Sequence, residues 1–151
     1  MVIHKKNGFT VLEAVVGIAI ISFVLITSIT LLINILNQNK AQQEQLNAIQ
    51  YATMIRDDIQ IDLLITDASS LVGEVPLNST NYASILSTLG ITSVTINDAF
   101  NDISNPFFDK TTITFIDEVN NSTLGLSIIH FTVEIEYYPN RILKIEGILY
   151  G

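Results

Sequence analysis

Glu13 is the only charged side chain between residues 9 and 36, in a run otherwise almost wholly apolar. A carboxylate in such a run costs about 2.5–3.5 kcal/mol at the middle of a membrane-spanning helix, and less near an end. A charge kept at that cost marks a functional position by default. The other groups capable of chemistry lie elsewhere. Glu134 and Glu136 share one face of an alternating stretch, as a potential acid–base pair, with His130 and Thr132 beside them. Asn97, Asp98, Asn101, Asp102 and Asp109 supply hard oxygen ligands of the kind calcium takes, though not at EF-hand spacing. His4 stands in a short basic stretch with Lys5 and Lys6. No serine lies in a G-x-S-x-G context, and neither a Gly-rich phosphate loop nor H-E-x-x-H occurs. The absence of cysteine excludes disulfides, thiolate metal sites and cysteine catalysis. The chain therefore reads as a non-enzyme without cofactor or metal. His130, the strand carboxylates and the acidic loop read as solvated groups.

The elements around Glu13 set its meaning. Residues 1–8 are short and basic, residues 9–36 are long enough to cross a bilayer as a helix, and Asn37-Gln38-Asn39-Lys40 ends the apolar run. Positive charge before the run places the start of the chain in the cytoplasm and the remainder outside. A secretory signal would have a shorter apolar core and a small-residue cleavage site, which Asn37-Gln38-Asn39 is not. A plain single-pass anchor accounts for the length and the basic flank but gives no reason for Glu13. Of the 7 Lys and Arg, two precede Phe9, so 5 face 15 Asp and Glu in the rest of the chain. No basic stripe is visible, and direct nucleic-acid binding is not expected.

Gly8-Phe9-Thr10-Val11-Leu12-Glu13 resembles the class III signal of type IV pilins and of type II secretion pseudopilins. The resemblance covers residues 5–36. It implies that prepilin peptidase cuts after Gly8, that Phe9 becomes an N-methylated terminus, and that Glu13 is the assembly carboxylate. The amine of one subunit would meet the carboxylate of its neighbour, so that each charge offsets the other's burial. Implied partners are prepilin peptidase, other pilin or pseudopilin subunits, the inner assembly platform and, before assembly, the membrane. The segment Glu13–Ile20 is more similar to minor subunits than to major ones. Many pilins have a proline further along the helix; Thr30 stands at that place here. A major pilin of the same class, and an anchored binding or adhesin domain that never polymerises, remain as alternatives. Whether the system would serve a pilus, secretion or competence is open.

Beyond the membrane segment, residues 37–65 read as a continuation of the helix, for a length of about 85 Å in all. Ala48, Ala52, Ile55, Ile59 and Leu63 form one stripe at spacings of three and four. Residues 66–151 are expected to form the head. Thr66 to Asn81 reads as loop, Tyr82–Leu89 as a short helix with Asn81 as its cap and Gly90 as its end, and Ile91–Ile96 as a short strand. Asn97–Asp109 reads as loop. Thr112–Asp117, Leu126–Tyr138 and Arg141–Tyr150 alternate as strands, with turns at Asn120-Asn121-Ser122 and Pro139-Asn140. The sheet's apolar face calls for the helical stripe. The fold class is α+β: a long N-terminal helix packed on a C-terminal antiparallel sheet, as in pilins.

Overall fold

A computed structural model describes residues 10–91, 100, 104–121 and 126–151. Helix α1 runs over Val11–Asp62, 52 residues without proline. After the extended Leu64, α2 covers Ile65–Leu71. Strand β1 is Leu77–Asn78, α3 is Tyr82–Leu89, and a single 3-10 turn at Phe108–Lys110 leads into β2, Thr111–Asn121. Strands β3, Leu126–Tyr138, and β4, Arg141–Tyr150, complete an antiparallel sheet of order β1-β2-β3-β4. The chain divides into two compact units at Ala41/Gln42.

In the second unit the residues 42–62 of α1 pack on the sheet. Ala48, Ala52, Ile55 and Ile59 are wholly buried, and Tyr51 and Leu63 nearly so. From the sheet they meet a layer of Ile113, Phe115, Ile129, Phe131, Val133, Ile135 and Leu149. The period of 3.6 on one side and of 2 on the other thus converge on one core. Each fully buried Ile contributes about 1.5–3 kcal/mol of transfer free energy. Ring pairs extend the core: Phe115–Phe131 at 5.7 Å, Tyr51–Phe107 at 6.2 Å and Tyr82–Phe100 at 5.0 Å between centroids. Opposite Phe131 stands Gly147, where an added Cβ would lie 2.2 Å from the ring. The ring fills the space that any other residue at position 147 would need.

Five expectations need correction. The long helix stops at Asp62 and not near Ile65, and α2 occupies part of what reads as loop. Its polar Thr66, Asp67, Ser69 and Ser70 hide two buried anchors, Ala68 and Leu71, which hold the segment near β2 and β3. Leu77–Asn78 also falls in the expected loop and pairs with Ile113 and Thr112. Strand β2 continues through Asn120-Asn121, because long-range pairing to Ser127 and Leu126 overrides the local turn preference. Thr132, expected on the solvated face, is 2% exposed, since it lies mid-strand between Thr114 and Glu146 on the neighbouring strands.

Other boundaries agree with the sequence reading. Helix α3 spans Tyr82–Leu89, and Gly90 ends it at φ 70° with Ile91 N–H donating to the Leu86 carbonyl. Asn81 precedes it, but its side chain serves the preceding turn: Oδ1 accepts from Asn78 N–H and Nδ2 donates to the Pro76 carbonyl. Asn140, at φ 63°, turns β3 into β4. The expected strand Ile91–Ile96 lies, from 92 onward, outside the described residues.

Candidate functional site

The start of α1 is built by four residues, Thr10-Val11-Leu12-Glu13. Thr10 precedes the first helical residue. Its Oγ1 accepts from Glu13 N–H at 3.3 Å, and Glu13 Oε2 accepts from Thr10 N–H at 3.3 Å and from Thr10 Oγ1 at 3.3 Å. This reciprocal pair is a capping box, T-x-x-E, and it satisfies two backbone donors that a helix start leaves without partners. The carboxylate also stands where the helix dipole favours an anion. Both side chains are exposed. Glu13 thus has a task within its own chain, which the T-x-x-E spacing signals and the charge alone does not. Gly8 and Phe9, the expected cleavage and methylation residues, lie outside the described residues.

After the box, α1 presents apolar side chains on all sides. Val11, Leu12, Val15, Val16, Ile18, Ile20, Ile21, Phe23 and their successors to Leu36 are exposed. None of the most apolar 18-residue window, of mean hydropathy 2.7, is buried. The helix is long and apolar enough to span a membrane. Three of its hydroxyls are paired within the helix: Thr27 Oγ1 donates to the Val24 carbonyl at 2.9 Å, Ser28 Oγ to Val24 at 2.7 Å and Thr30 Oγ1 to Ile26 at 2.9 Å. Such back-bonding satisfies these three donors within the helix itself. The helix runs through Thr30 without a break.

The groups weighed for catalysis are dispersed into structural tasks. Glu134 Oε1 meets Lys144 Nζ at 3.4 Å across β3 and β4. Glu136 Oε1 accepts from Asn140 N–H at 3.1 Å and closes the hairpin turn. The half-buried His130 lies between Asp117 and Ile148 in the register. An open groove of about 400 Å³ is lined by Asn47, Gln50, Tyr51, Met54, Asn105, Pro106 and Phe107. It offers no carboxylate, histidine or cation for proton transfer. A smaller depression beside Glu74 holds Ser84 and Thr88, whose hydroxyls donate to the carbonyls of Asn81 and Ser84. Asp109 lies in the 3-10 turn, whereas Asn97, Asp98, Asn101 and Asp102 of the acidic loop lie outside the described residues. Among the described residues no three acidic or histidine side chains gather to hold a metal.

Compared with family models, with curated proteins and with solved structures, the chain matches none.

Proposed function

We propose that this chain is a non-enzymatic structural subunit of a bacterial type IV filament system, most similar to a minor pilin or pseudopilin. It is held in the cytoplasmic membrane by the apolar half of α1, with its start inside and its head outside. Prepilin peptidase cuts between Gly8 and Phe9, Phe9 is N-methylated, and subunits pack through α1 with Glu13 opposite a neighbour's terminal amine. One observation carries the reading: a single helix begins at a lone carboxylate, continues as an unburied apolar surface, and ends as the core of an α+β head. A soluble domain has no use for the apolar half, and in a filament the carboxylate would meet a neighbour's amine as well as cap its own helix.

The capping box favours a second reading, an anchored binding domain that stays single. In it Glu13 is spent on starting the helix. Mass spectrometry of the N-terminus, from cells with and without prepilin peptidase, separates the two. The filament reading expects a terminus at Phe9, methylated, only where the enzyme is present. An intact Gly8–Phe9 bond in cells with active peptidase overturns it. Glu13→Ala is expected to keep membrane insertion and to lose incorporation into sheared filaments.

A further inference from the structure

We propose that the free edge of β4 is a self-complementary pairing edge that joins two copies of this chain as a two-fold antiparallel pair. Strand β4 ends the sheet, and among the described residues no strand lies on its outer side. Ser127 and Gly151 exchange both backbone hydrogen bonds, at 2.8 and 3.0 Å. Hydrogen-bonded pairs alternate along an antiparallel ladder, so Leu149, Gly147, Ile145 and Leu143 also turn their backbone groups toward β3. The backbone N–H and C=O groups of Ile142, Lys144, Glu146, Ile148 and Tyr150 therefore point outward. Apart from the Ile148 carbonyl, which accepts from Gln60 Nε2, no strand pairs this row, and a row of this kind is a template for another strand.

The side chains choose the occupant and the register. A second β4 must bring its own outward residues opposite these, which leaves only shifts of two. Centring the two-fold axis on residue 144 sets Lys144 against Lys144 of the second copy, and centring it on 146 sets Glu146 against Glu146. Like charges directly opposite are unfavourable. Centring it on Ile145 sets Lys144 opposite Glu146 twice, and Ile142 opposite Ile148 twice. Lys144 then lies between Glu134 of its own chain, already at 3.4 Å, and the incoming Glu146. Ile142 is 65% exposed, so its pairing removes apolar surface from water. Gln60 Nε2 now donates to the outward Ile148 carbonyl at 3.0 Å, and the incoming Ile142 N–H takes its place. A two-fold contact closes on itself, so it joins heads in pairs and adds nothing to an open array. The proposal does not depend on filament assembly.

The test uses the full chain in detergent micelles, with mass measured by sedimentation. Glu146→Lys and Lys144→Glu each place like charges opposite one another twice, and each is expected to weaken self-association by about tenfold or more. Mixed together, the two variants set 144 and 146 with opposite signs again, and the mixture is expected to recover wild-type association. A wild-type chain that stays single, a Glu146→Lys chain that associates like wild type, or a mixture that stays apart overturns the proposal. The register has its own readout, because the chain has no cysteine. Ile145→Cys sets its two Cα atoms on the axis about 4.5 Å apart and, with an added thiol oxidant to take up the two electrons, is expected to form a disulfide-linked pair. Leu143→Cys leaves its copies about 13 Å apart and is expected to form none. Cross-linking at 143 but not at 145 overturns the register.

Discussion

Along α1, Val11–Leu36 and the stretch from Ala48 to Ile59 differ in what their apolar side chains meet. The first is apolar around its whole circumference and buries none of it within the chain. The second is apolar along one stripe and buries that stripe to within a few per cent. Both are uninterrupted helix, so backbone conformation does not separate them. Periodicity does. A stripe at 3.6 residues has one direction in which to be buried, and the sheet supplies it; a helix apolar all round has no such direction and needs an apolar surrounding. Chemistry follows the same division: the carboxylate and its cap lie at the start of the first stretch, and the second serves packing.

The largest expected effect comes from setting equal truncations side by side in the two stretches. Ile55→Ala should cost the head about 2–5 kcal/mol, because it empties a wholly buried position. Leu25→Ala, at a 57% exposed position, should leave head stability within about 0.5 kcal/mol. Urea unfolding followed by near-ultraviolet circular dichroism of the tyrosines measures both. Equal losses would mean that the apolar half is also a packed core.

A charge in the first stretch sharpens the contrast from the other side. Leu25→Lys should oppose membrane insertion by about 2.5–3.5 kcal/mol while the head unfolds at the wild-type urea concentration. Alkaline extraction of membranes should release much more of this variant than of wild type. Unchanged extraction would remove the membrane assignment and leave the fold intact.

The glycines repeat the comparison at smaller scale. Gly147→Ala drives a methyl group into the Phe131 ring and should cost about 1–3 kcal/mol. Gly17→Ala meets no atom within 4 Å and should be neutral, or favourable through helix propensity by up to about 1 kcal/mol. Thermal unfolding reports the first, and far-ultraviolet helicity reports the second. A neutral Gly147→Ala would show that Phe131 has room to move.

What was legible in the sequence follows the same physical division. Elements with a sustained period could be read directly: the stripe Ala48–Leu63, the strands Leu126–Tyr138 and Arg141–Tyr150, and the helix Tyr82–Leu89 with Gly90 at its end. Elements whose form depends on distant partners could not. Helix α2 has seven residues, four of them polar, and is held by Ala68 and Leu71; β1 has two residues and exists through Ile113 and Thr112. At the site, Glu13 stood out by charge. Its partner Thr10 is signalled only by the T-x-x-E spacing, which a single charge in an apolar run overshadows. The burial of Thr132 is a property of three strands together and is invisible in any one of them.

The smallest effect divides the capping task of Glu13 from the assembly task proposed for it. Thr10→Ala removes the cap hydroxyl but keeps the carboxylate, at a cost of about 0.5–2 kcal/mol to the first turn. Glu13→Gln does the reverse, since a glutamine amide oxygen can accept from Thr10 N–H as glutamate does, but carries no charge. If the carboxylate acts by meeting a neighbour's amine, Glu13→Gln should lose filament incorporation while the first turn keeps its protection against hydrogen exchange. Thr10→Ala should then assemble, with faster exchange at the amide of Glu13. If capping is the whole of its task, the outcomes invert: Glu13→Gln behaves as wild type in both measurements, and Thr10→Ala is the damaged variant. The exchange readout keeps the comparison decisive even where no filament forms, because it reports on the helix start in the single chain. A carboxylate in an apolar helix is then judged by which of its two properties, hydrogen-bond acceptance or charge, the protein fails without.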